Sequence, residues 1–129
     1  EEEKAIITSE VLHAVVSHEQ GRKPLTVEAG VVSVADALDM EEGRARIPFE
    51  AGKVDIHSVS ALSIKRVEIQ EGQEKPINVK ITMTNPAGVF QIDELLKPRI
   101  EGSGLQAYIH VIAEVVAARE ARTLEKFEI

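Results

Sequence analysis

Apolar residues recur at helical spacing in the first 42 positions of this chain, and from about residue 63 onward they mostly alternate. Val11, Leu12, Val15 and Val16 form an i, i+1, i+4, i+5 stripe, which predicts a helix with Ser9 as its N-cap. "HEQGRKP" (18 to 24) interrupts it, with Gly21 and Pro24 as punctuation. Thr26 then caps a second predicted helix, and Glu28 is well placed in its first turn. Val27, Val31, Val34 and Leu38 make its core stripe, and "EEGRARIP" (41 to 48) ends it.

The period then changes. "DIHSVSAL" (55 to 62) reads as a short helix and is followed by "SIKRVEIQ". Past the turn "EGQEKP", the run "INVKITMTN" alternates strictly, with Ile77, Val79, Ile81 and Met83 inward. These two strands predict an antiparallel hairpin. "NPAG" (85 to 88) is a turn, "VFQIDELLKPRI" a helix ended by Pro98, and "EGSG" (101 to 104) a connection. "LQAYIHVIAEV" alternates again, and "AAREARTLEKFEI" reads as a short helix or a loose tail. The expected fold class is α+β: N-terminal helices over residues 1 to 46, then a small antiparallel ββαβ sub-domain over residues 47 to 129. No internal repeat or low-complexity segment interrupts this order.

Composition narrows the class of protein. Hydrophobic residues are 43%, charged residues 29% and aromatics 3%, so the core must be aliphatic. There is no cysteine, which excludes disulfides and thiolate metal sites. No apolar run approaches the roughly 20 residues of a membrane span, and a cytoplasmic location is the expectation. A net charge of −7 argues against broad, non-specific nucleic-acid binding, which depends on Lys and Arg neutralising phosphates.

Asp36 is the first candidate for chemistry. It stands in "VVSVADALDM" (31 to 40), over Val32 and Ala29, away from the predicted core stripe but on a second apolar side. A buried carboxylate must be paired, hydrogen-bonded or metal-bound. Two readings follow: a structural Asp tied to an arginine such as Arg44 or Arg46, or a metal ligand. Asp39 reads as solvated. His18 ends the first helix where its ring can turn inward. His13 is five residues earlier, about 140° around the helix, so the two cannot chelate one ion. His57 and His110 read as structural.

The stretch "SHEQGRKPLTVEAGVVSVADALDMEEGRAR" resembles the latter part of the catalytic core of the HD-domain metal-dependent phosphohydrolases, close to their ribonuclease Y-like and archaeal members. In that superfamily a helix ends in His, a loop follows, and "VEA" opens a helix carrying an "AD" pair. A "GAR"-like segment comes next, here "GRAR" (43 to 46). The resemblance implies that Asp36 is the last ligand of the metal motif and that His18 contributes to an extended site. It implies a divalent ion (Mn, Fe, Co, Ni or Zn) as cofactor, and Arg44 and Arg46 as groups that pair with a substrate phosphate. The implied substrate is a phosphate ester, either a phosphorylated small molecule or an RNA phosphodiester. The motif's opening His and adjacent His-Asp pair are missing, because the chain contains no His-Asp dipeptide. The expectation is therefore the C-terminal part of a longer enzyme, or else a degenerate relative.

The rival expectation is a non-catalytic module that dimerises or binds a ligand through the sheet unit. A homodimer covering the edge of residues 77 to 83 is its simplest form. "IEGSGL" (100 to 105) is a candidate for placing amides toward an anion. RNA binding on the sheet face ranks last, since only Tyr108 is available to stack on a base.

Overall fold

Two helices lead into a one-sided sheet backed by further helices, an α+β arrangement. The computed structural model describes residues 1–19, 21–42, 56–116 and 126–128. Helix α1 is Glu2–Ser17, α2 is Val27–Leu38 and α3 is Ile56–Ser63. Strands β1 (Ile64–Glu71) and β2 (Ile77–Met83) follow. A 3₁₀ turn (Pro86–Gly88), α4 (Val89–Gln91), a π turn (Ile92–Leu96) and α5 (Lys97–Ser103) then form one continuous helical path. Strand β3 is Ile109–Val115 and β4 is Lys126–Glu128. The expected boundary at residues 46 and 47 lies outside the described residues.

Local chemistry accounts for several of these limits. Thr26 Oγ1 accepts from the Ala29 amide at 3.3 Å, the expected N-cap of α2. Asn85 Oδ1 accepts from the Ala87 amide at 2.9 Å and starts the 3₁₀ turn. Ser9, the predicted cap of α1, instead lies mid-helix. The helix begins a full two turns earlier, with Glu2 and Glu3 favourably placed against its N-terminal dipole. Pro98 does not end its helix. It occupies the first turn of α5, where a missing amide hydrogen costs least, and the π turn before it absorbs the irregularity. The helix stops instead at Gly104, whose φ of 77° is the left-handed C-cap.

The sheet order is β1-β2-β3-β4. β1 and β2 are the expected antiparallel hairpin, but β3 runs parallel to β2, with Val79 beside Val111. The sheet is therefore mixed rather than antiparallel, because a helical crossover returns the chain to the same end before β3 starts. It also places residues 77 to 83 in the interior, so the edge expected there is already covered by β1 and β3. The C-terminal "KFE", expected as helix or tail, pairs antiparallel with β3 as β4. The outer edge of β1 is partly capped, since the Val67 amide donates to Glu41 Oε1 at 2.8 Å and the Glu42 amide to Ile64 O at 2.8 Å.

One apolar cluster runs from α2 through the sheet. Val34, Ala37 and Met40 join Ile64, Val79, Ile81, Met83, Leu96, Ile100 and Val111. The close approach of α2 to α5 depends on Gly30: a Cβ there would stand 2.9 Å from Ser103 O. The opposite sheet face is polar, with Lys80 and Glu114 paired at 3.0 Å. No helix among the described residues is long and apolar enough to cross a membrane.

The helical pair departs most from expectation. Val11, Leu12, Val15 and Val16 are all more than half exposed, as are Ile6, Ile7, Val27 and Val31. On α1 it is Ser17 that is buried, with His13 and Ala14 half-buried, and these face α2. Only Val34 and Leu38 of the predicted α2 stripe turn inward; small residues, Ala29, Gly30, Ser33 and Ala37, make its packed face. The apolar stripes are real, yet among the described residues nothing covers most of their length.

Candidate functional site

Asp36 sits in the third turn of α2, between buried Ala29 and exposed Val32 at about 100° per residue. It stands where the packed side of the helix gives way to the open one, and its side chain is 20% exposed. Arg99, 63 residues later on α5, meets it: Nη1 donates to Asp36 Oδ2 at 3.0 Å. The arginine side chain is only 9% exposed.

Burying such a pair costs desolvation, which further hydrogen bonds must offset. Nη1 also reaches Ser33 O at 3.1 Å, Ser33 Oγ at 3.5 Å and the main-chain carbonyl of His18. Its two hydrogens are thus shared among four oxygens from α2 and the end of α1. Nε is buried and donates to nothing among the described residues. The guanidinium fastens the helical pair to the sheet unit and fixes the aim of the carboxylate.

His18 belongs to the same junction. It is the C-cap of α1, and its ring Nδ1 lies against Val15 O. A carbonyl only accepts, so Nδ1 carries the hydrogen and Nε2 is the basic nitrogen. Metal-binding histidines commonly show this arrangement, with one nitrogen held by a carbonyl and the other left basic. Arg99 thus touches both residues singled out as ligands, Asp36 through its side chain but His18 only through its main-chain carbonyl, while the His18 ring lies against Val15 O. Among the described residues, no group of three or more His, Asp or Glu is placed to hold a metal ion. The donors present fit a divalent ion in kind, nitrogen and carboxylate oxygen, and fall short in number.

Arg44 and Arg46 lie outside the described residues. His13 has a structural task, since its Nε2 accepts from the Leu25 amide at 3.0 Å and pins the α1–α2 loop. His110 is half-buried on the polar side of β3. The "EGSG" segment is the end of α5 rather than an open loop, and Ser103 Oγ donates to Ile100 O and accepts from the Leu105 amide.

Arg99 is the functional residue that the pattern did not single out. Its signal was faint: it follows Leu96 by three positions and precedes Ile100, so it shares the inward side of a helix.

No family model matches the chain, and no solved structure does. It is 55% identical over 115 residues to an uncharacterized protein, MJ1020, of Methanocaldococcus jannaschii. That match covers 88% of this chain and 44% of the relative, so the chain spans less than half the relative's length.

Proposed function

We propose that this chain is the latter part of the catalytic core of an HD-type metal-dependent phosphohydrolase acting on a phosphate ester, a nucleotide or an RNA phosphodiester. One observation carries the reading: Asp36, aimed by Arg99, stands at the border of an apolar helical face that the described residues leave open. Helices of a longer protein laid on that face would bury Ile7, Val11, Val15 and Val31, and would bring further ligands to the carboxylate. The relative's greater length is compatible with such helices.

In this reading Asp36 and the Nε2 of His18 hold the ion, which supplies Lewis-acid chemistry toward a phosphoryl oxygen and water. Arg99 keeps Asp36 oriented, and the Val15 carbonyl keeps His18 in the ligating tautomer. Arg44 and Arg46 remain proposed partners for the substrate phosphate. The test is titration of Mn or Ni into the protein expressed from the full parent reading frame. Stoichiometric binding that is lost in Asp36→Ala supports the reading; binding that survives the substitution, or none at all, ends it.

A second reading, a non-catalytic ligand-binding module, is favoured by a cavity of about 180 Å³ between α5 and β3. Ile92, Leu96, Ile100, Ile109 and Val111 line it, with Lys97 at its rim. It requires saturable, metal-independent binding of an aliphatic acid such as hexanoate, read from shifts of those residues. Dimerisation through the sheet, the other form of this reading, would have to use an edge other than β2.

A further inference from the structure

The α1–α2 loop and α5 enclose a second cavity, of about 220 Å³. Arg22, Lys23 and Arg99 line it together with Gly21, Ser33 and Gly102, and among the described residues no carboxylate does. Asp36 and Glu19 each pair with one of these cations from outside the lining, so the hollow keeps an excess of positive charge in a chain of net charge −7. Among the described residues every hydrogen bond that Arg99 makes is made by Nη1, which leaves the Nη2 hydrogens unspent, while Nε is buried out of a ligand's reach. Such a guanidinium keeps unspent donors at a site where little water competes for them. Arg22 pairs with Glu19 at 3.4 Å, but both are more than half exposed, so that contact yields readily to a better anion.

We propose that this cavity binds the phosphate group of a nucleotide-sized ligand. Arg22 and Lys23 close on the anion from the loop, and Arg99 holds it from below. The volume takes a phosphate and little more, which leaves the remainder of the ligand outside. Arg99 then stands between the bound phosphate and Asp36, so the anion is delivered beside the carboxylate proposed to carry the metal. That last step rests on the hydrolase reading; anion binding itself needs no metal.

The test is an amide-shift titration of this chain with inorganic phosphate and with a nucleoside 5′-monophosphate, against chloride at equal ionic strength. The expected result is saturable shifts at Gly21, Arg22, Lys23, Ser33, Arg99 and Gly102. Arg22→Glu with Lys23→Glu should weaken binding by about tenfold or more, as expected for loss of charge-assisted hydrogen bonds. The charge-matched pair Lys4→Glu with Arg66→Glu, both well exposed and outside either cavity, should leave it within about twofold. Shifts that chloride reproduces, or affinity unchanged by the loop substitutions, overturn the proposal. Phosphate binding here alongside a longer protein that binds no metal would sink the hydrolase reading alone. A metal-dependent hydrolase without these shifts would sink the anion site alone.

Discussion

At the scale of single residues, the contact between Asp36 and Arg99 decides most. Removing one member of a buried pair strands the other charge, so Arg99→Ala should cost about 3–5 kcal/mol in urea unfolding. Arg99→Lys should recover only part of that, because the lysine side chain is one bond shorter than the path to Nη1, the atom that meets Asp36, Ser33 and His18. Replacing both partners, Asp36→Leu with Arg99→Met, should be less damaging than Arg99→Ala. A double variant as unstable as the sum of the singles would refute the coupling. The oddity of Asp36 was legible in the sequence, because an acid among Val and Ala needs a partner. That Arg99 is a partner was not legible, since nothing in the periodicity connects position 36 with one 63 residues later; Arg44 and Arg46, the arginines expected beside it, lie outside the described residues.

At the scale of elements, the signals that held were short-range and chemical. Thr26 caps α2 and Asn85 starts a turn because each side chain satisfies an amide a few positions away. Thr26→Ala should therefore cost about 1 kcal/mol, seen as a lower urea midpoint at unchanged slope. The strict alternation of residues 77 to 83 placed β2 correctly, whereas the direction of β3 depended on the length and path of a helical crossover. Pro98 misled because a proline reads as a stop until a π turn and a helix start share its neighbourhood. Gly30→Leu should part α2 from α5, since even a Cβ meets Ser103 O at 2.9 Å. The expected loss is about 1–3 kcal/mol, and a variant as stable as the parent would show that the helices have room.

At the scale of the whole molecule, hydrophobic pattern and burial part company. The stripe on α2 reads as core, yet its Val27 and Val31 are exposed together with the stripe on α1, because periodicity reports that a face wants cover without saying what supplies it. Val11→Lys with Val15→Glu should change the stability of this chain by no more than about 0.5 kcal/mol. The same pair should reduce self-association in sedimentation velocity, and should impair the longer protein if that face is packed there. By contrast Leu96→Ala, in the cluster shared by α2 and the sheet, should cost about 2–5 kcal/mol.

The arginine that reaches across from α5 also ties together the fates of two distant stretches. A carboxylate steered by a remote strut keeps its aim only while both parts stay docked. Any molecule that wedges α5 away from α2 would therefore turn the carboxylate at position 36 without touching it, so the orientation of that side chain can be controlled from the seam between them.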